Sequence, residues 1–314
     1  MSRKDVLAAM QQVMGPLPDR SNLPPFDART TETIRGDGYE RRTITFANLH
    51  DERVTAYLYV PTDLKPGERR PIALVLQSTG EAGKVIVDGT GPKGPRLGFA
   101  RELAQRGYVV IAPDYPSFGE QKNYDFKKSR YASGTMKAIS DNMRCVDLAQ
   151  SLPQADADKV AALGHSLGGH NALFTAAFDP RIQVAVTSCG WTPFHYYYGG
   201  KKLENWAQDR YMPRGRDVYQ NNPDRMPFDF PQLIAGAICP RAVFSCSPIA
   251  DENFDVAGVR HAEPHIRKAY DAAGAPQNYN VTYPDTGHEF PQADRQAAYE
   301  FIEARLGYAP LKPD

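Results

Sequence analysis

Residues 160–169 read Val-Ala-Ala-Leu-Gly-His-Ser-Leu-Gly-Gly, and this stretch decides the fold. Its first four residues form an unbroken apolar run, as in a strand covered on both faces. The next segment, from Leu167 to Phe178, has the composition and spacing of a helix. Between the two, Ser166 has a glycine two residues away on either side. So sharp a strand-to-helix turn strains the serine backbone and brings neighbouring chain very close, which only residues without a Cβ tolerate at those positions. The hydroxyl then projects from the C-terminal edge of a sheet, over the positive end of the next helix, where the backbone N–H of Leu167 can meet developing negative charge. Ser166 is therefore the candidate nucleophile. The plainer alternative, a helix-capping serine in a glycine-rich turn, does not account for the flanking strand and helix.

Working outward, further continuous apolar runs lie at residues 72–76 and 108–112, and residues 184–187, 242–245 and 279–283 supply further strands. Helical patterns separate them at 97–106, 136–152, 256–273 and 293–306. Residues 42–47 and 54–60 instead alternate apolar and polar positions, as an antiparallel pair does. The order predicts an α/β fold: a mostly parallel sheet with an antiparallel start and helices on both faces. An amphipathic helix is expected over residues 3–14, followed by a proline-rich connector to about residue 38.

Composition narrows the function classes. The 314 residues carry 37 Lys plus Arg and 37 Asp plus Glu, so the net charge of zero lacks the basic footprint of a nucleic-acid binder. No stretch reaches the roughly 18 apolar residues of a membrane span, and the first thirty residues lack a signal-peptide core. Four unpaired-looking cysteines, without Cys-x-x-Cys spacing, read as reduced thiols in a cytoplasmic protein. The residues give no metal site either. The pattern His261-x-Glu263-x-His265 contains Pro264 and is not His-Glu-x-x-His.

A serine needs a base. His288 comes after the last predicted strand, in a loop at the sheet edge where ligands gather in open α/β folds. His165 sits inside the turn and is read as shaping it. The group that orients the imidazole is expected in the loop after strand 242–245, where Asp251 is favoured, Asp255 is the runner-up and Glu252 is third. The second oxyanion donor is expected from the loop after strand 72–76, at the backbone N–H of Thr79 or Gly80.

With these residues in place the chain resembles an α/β-hydrolase, in detail the dienelactone-hydrolase-like and acetyl-xylan-esterase-like branch. The resemblance runs from about residue 41 to 307. It rests on residues 106–115, the turn at 164–169, residues 178–182 and 239–244, Asp251, and Gly287-His288. It implies carboxylic-ester hydrolysis through an acyl-enzyme, with no metal or cofactor, and carries Ser166, Asp251 and His288 over as triad positions. The nucleophile is serine where dienelactone hydrolases proper use cysteine. Residues 77–80, Gln-Ser-Thr-Gly, replace the His-Gly-Gly stretch of many lipases. A prolyl-oligopeptidase-like peptidase and a non-catalytic binding protein are the alternatives.

Residues 189–231 contain both tryptophans and a cluster of tyrosines. A connection this long reads as an aromatic lid insertion, about 189–235, within a hydrolase domain spanning 41–307; residues 1–40 form an N-terminal extension and 308–314 a tail. Trp191, His195, Tyr197 and Trp206 are the expected substrate contacts, with Arg210, Arg214 and Arg216 available to an acidic group. The alternative is a small satellite core. The expected partner is a small ester on a carbohydrate or aromatic acid, with no nucleic acid and no membrane; a homo-oligomer is compatible with the sequence.

Overall fold

The computed structural model describes residues 1–92 and 94–311. Nine strands form one sheet: β1 (Arg29–Arg35), β2 (Tyr39–Ala47), β3 (Arg53–Pro61), β4 (Arg70–Leu76), β5 (Val109–Pro113), β6 (Ala155–His165), β7 (Ile182–Ser188), β8 (Ala242–Cys246) and β9 (Tyr279–Thr282). Their spatial order is β1-β2-β3-β5-β4-β6-β7-β8-β9. The pairs β1–β2, β2–β3 and β3–β5 are antiparallel, and every pair from β5 onward is parallel. The expected architecture is the observed one. β4, β5 and β8 are buried along their whole length, which is why they read as continuous apolar runs.

The helices, in chain order, are α1 (Arg3–Met14), α2 (Val85–Asp88), α3 (Phe99–Gln105), α4 (Gly134–Gln150), α5 (Leu167–Phe178), α6 (Arg214–Asp217), α7 (Phe230–Gln232), α8 (Val256–Ala272) and α9 (Gln292–Leu306). One face of the sheet packs Ile139, Val146, Phe174 and Ile266 of α4, α5 and α8. The other packs Phe99 and Leu103 of α3 with Phe301 and Ile302 of α9. The central sheet is thereby sealed on both sides, and only the loops at its strand ends remain open to build a site.

Two features depart from the sequence expectation. The connector after α1 contains β1, an edge strand paired with β2 before residue 41. All seven of its residues are exposed, so no apolar face marks it in the sequence. The helix of the N-terminal segment buries Val6, Met10, Val13 and Met14 in the main core, and the Met14 carbonyl accepts from Ser133 Oγ at 2.6 Å. At the other end, Tyr308 packs on Tyr108 with ring centroids 5.0 Å apart, and residues 312–314 of the expected tail lie outside the described residues. Among the described residues no helix is long and apolar enough to cross a membrane.

Candidate active site

The site is assembled at the C-terminal ends of the parallel strands. Ser166 lies between β6 and α5 at φ 56° and ψ −117°, and its N–H bonds the Ser188 carbonyl at the end of β7 (2.8 Å). This left-handed φ is the strain that the glycine spacing anticipates. The two glycines are sterically required. A Cβ on Gly164 would stand 2.3 Å from the Gly168 carbonyl carbon, and one on Gly168 would stand 2.1 Å from the Leu76 carbonyl oxygen.

The loop after β9 brings His288 over the serine. Ser166 Oγ lies 2.9 Å from His288 Nε2, and His288 Nδ1 lies 3.0 and 3.1 Å from the two Asp251 oxygens. A carboxylate only accepts, so Nδ1–H donates to Asp251 and Nε2 is left to accept from the Ser166 hydroxyl. Asp251 comes from the loop after β8, and its carboxylate is almost fully buried. Burial alone would push its acidity down. The His288 ring and the N–H groups of Asn253 (2.8 Å) and Phe254 (3.2 Å) outweigh it and hold the carboxyl below its ordinary range. Asp255 does something different: it caps α8, accepting from Ala257 N–H at 2.8 Å. Glu252 is exposed. His165 is buried, with Nδ1 3.1 Å from Ser188 Oγ and its ring 4.9 Å from that of His288.

A pocket of about 800 Å³ opens onto Ser166 and His288. Of the proposed oxyanion groups, Leu167 and Thr79 line it. Gly80 is not among the lining residues; its carbonyl closes a turn by accepting from Gly83 N–H. Of the expected substrate contacts, Tyr197 and Trp206 line the pocket, whereas Trp191 and His195 do not. Trp191 is buried, with its indole N–H donating to Ser245 Oγ at 2.9 Å. His195 is exposed on the outer surface and pairs with Asp224 at 2.7 Å. Arg210, Arg214 and Arg216 also lie off the pocket; the arginines that line it are Arg96 and Arg295.

Much of the aromatic segment is core. Phe194, Trp206, Phe228 and Phe230 join the same buried cluster as Phe174 of α5, so the satellite-core alternative describes most of these side chains. Two pocket residues, His170 and Phe254, are not singled out by the sequence reading. His170 stands one turn along α5 from Ser166, its ring 4.5 Å from Trp206. Burial drives its pKa down to about 3, so it is a neutral imidazole, and its Nδ1 has no hydrogen-bond partner among the described residues. The i+4 spacing from Ser166 along a helix was the available clue. Phe254 lies nearly parallel to the His288 ring (14°), with ring centroids 6.0 Å apart. Its role depends on tertiary packing and leaves no mark in the sequence.

This sheet and this turn define a class. The profile of the alpha/beta hydrolase family matches residues 89–300, and the chain belongs to that family. It is similar to YtaP of Bacillus subtilis (strain 168), which is assigned as a hydrolase. The two are 26% identical over 309 residues, 94% of this chain and 97% of that protein. Among solved structures, the glucuronoyl esterase from Solibacter usitatus superposes with a TM-score of 0.72 at 16% identity, covering 96% of this chain and 92% of that one. The acetyl xylan esterase from Paenibacillus sp. R4 gives 0.65 at 17% identity, covering 96% and 92%. At these identities the likeness to the two structures is one of fold.

Proposed function

We propose that this protein is a serine carboxylic-ester hydrolase. The observation that carries the reading is the hydrogen-bonded chain from Asp251 through His288 to Ser166, opening onto a pocket in an alpha/beta hydrolase. In this reading His288 takes the Ser166 proton as Oγ attacks the ester carbonyl, and Asp251 stabilises the imidazolium. The Leu167 N–H, with a second donor from the Thr79 loop, holds the oxyanion. His288 then hands its proton to the leaving alcohol and later activates the water that releases the acid.

The substrate class is read from the pocket walls. Tyr197, Trp206 and Tyr211 line the pocket with aromatic rings, suited to a sugar or aromatic ring. That two structural neighbours are named as carbohydrate esterases supports an ester on a carbohydrate. We assign the segment 189–235 as the roof that selects the substrate and hold the helix and strand before residue 41 to be an integral brace of the hydrolase domain. Four free cysteines suit a reducing cytoplasm.

The test is turnover of p-nitrophenyl acetate, followed by a panel of acetylated sugars, glucuronoyl and feruloyl esters. Ser166→Ala is expected to lower kcat/KM by roughly 10⁴-fold or more. An unchanged rate would rule the serine out. A preference for X-Pro anilides over every ester would favour a peptidase.

A further inference from the structure

One side chain beside the relay, Cys189, has no part in the proposed ester hydrolysis. Cys189 comes directly after β7 with its backbone in the left-handed region (φ 48°), and it is buried beside the relay. The thiol donates to the Glu289 carbonyl at 3.2 Å. One ligating atom each from Cys189, Asp251 and His288 lie within 4.8 Å of one another. These are a sulfur, a carboxylate oxygen and an imidazole nitrogen, the donor types that zinc takes.

We propose that Cys189, Asp251 and His288 form an inhibitory site for a borderline-soft divalent cation of the zinc class. The inference rests on the reading of His288 as the base for Ser166. Bonds of about 2.0–2.3 Å at tetrahedral angles separate neighbouring ligands by roughly 3.3–3.8 Å. The three donors therefore need to close by at most about 1.5 Å, and Asp251 and His288 Nδ1 are already in contact. Asp251 Oδ1 accepts the N–H groups of Asn253 and Phe254, which leaves Oδ2 as the oxygen for the metal.

The protons and charges balance. The thiol proton leaves to solvent as the S–metal bond forms. The Nδ1 proton of His288 shifts to Nε2 as Nδ1 becomes a ligand. One thiolate and one carboxylate neutralise a dication, so the closed site is neutral where the open one carries the Asp251 charge. The consequence is a stopped relay: Nε2 carries a hydrogen and cannot accept from Ser166. A thiolate ligand also sets selectivity, because magnesium and calcium favour all-oxygen sets.

The experiment titrates the full-length protein with zinc while following p-nitrophenyl acetate hydrolysis. Zinc should inhibit and a chelator should restore the rate, whereas magnesium and calcium should do neither. Cys189→Ser keeps a donor toward the Glu289 carbonyl and should retain the basal rate. It should need at least about tenfold more zinc for half-inhibition. Cadmium gives an independent signal: a sulfur-to-cadmium charge-transfer band is expected in the wild type and in Ser166→Ala, and not in Cys189→Ser. Equal zinc sensitivity of wild type and Cys189→Ser, inhibition by magnesium, or no band in the wild type would overturn the site. Ester turnover without zinc sensitivity would overturn the metal site and leave the esterase reading standing. The band without ester turnover would do the reverse.

Discussion

The turn from β6 into α5 and the segment 189–235 face the same pocket and are built on opposite principles. The turn is made by backbone: Ser166 is strained, and Gly164 and Gly168 each leave space that no Cβ can share. The segment is made by side chains: Trp206 alone lies within 6 Å, ring to ring, of His170, Phe194, Tyr197 and Phe230. A backbone device has no neighbour that can repack to replace it, whereas a packed aromatic cluster shares its load. Changes at the turn and its partners should therefore be all-or-none, and changes in the segment should be graded.

After Ser166 itself, the largest effect expected is at Asp251. Asp251→Asn should lower kcat/KM by roughly 10³–10⁴-fold, since an amide no longer stabilises the imidazolium or selects its tautomer. Asp255→Ala should leave the rate within about threefold and cost about 1 kcal/mol of stability through the lost α8 cap. Parallel ester kinetics and urea unfolding on the two variants check this, and reversed kinetics would name Asp255 as the acid.

Next comes the turn itself. Gly168→Ala puts a methyl group against the Leu76 carbonyl, so β4 and α5 must part. A loss of about 3 kcal/mol in urea unfolding, with activity falling alongside it, is expected. Full stability in this variant would show that the close approach can relax, and the contrast between the two regions would fail.

The two regions differ in the same way in how legible they were in the sequence. The turn and the parallel strands could be read because backbone constraints leave residue-type signatures: glycines at fixed offsets and unbroken apolar runs. Polar residues just past strand ends pointed to Ser166, Asp251 and His288, which the structure brings within hydrogen-bond reach of one another. β1 was missed because Arg29–Arg35, exposed throughout, has no buried face to imprint a pattern. In the aromatic segment the sequence showed many rings but not their directions. Trp191 points to Ser245 and His195 to Asp224, while Tyr197 and Trp206 line the pocket. Composition is the same for a ring that faces the core and a ring that faces a ligand.

That ambiguity can be resolved by experiment. Trp191→Phe removes a buried hydrogen bond to Ser245 and part of a packed ring. It should cost about 2 kcal/mol of stability and leave KM within about twofold. Trp206→Phe removes an indole N–H that has no partner among the described residues, so its stability cost should be smaller. Because Trp206 lines the pocket, its KM for the preferred ester should rise several-fold. If Trp191→Phe moved KM and Trp206→Phe did not, the inner wall of the pocket would have to be redrawn.

The smallest effect probes how dry each region is, through two aspartates whose acidities are displaced in opposite directions. Asp229 ties the two ends of the aromatic segment together by accepting from the Phe194 and Phe230 N–H groups. Burial raises its pKa to about 6 in spite of those donors. Its folded value thus exceeds the roughly 3.9 of an unfolded chain. Between about pH 4 and 6 the native state binds this proton more tightly, so the contribution is fully present below pH 4 and is lost as pH rises through 6. Asp251 is depressed instead, so its contribution is present above the unfolded value and is lost as pH falls through the folded one. Asp229→Asn keeps an acceptor oxygen and cannot ionise. Its melting temperature should therefore gain on the wild type as pH rises from 4 to 7. Asp251→Asn should instead lose on the wild type as pH rises through the acidic range. A flat difference for Asp229→Asn would mean that water reaches the carboxylate, and the segment would then be an open flap instead of a wall packed against α5.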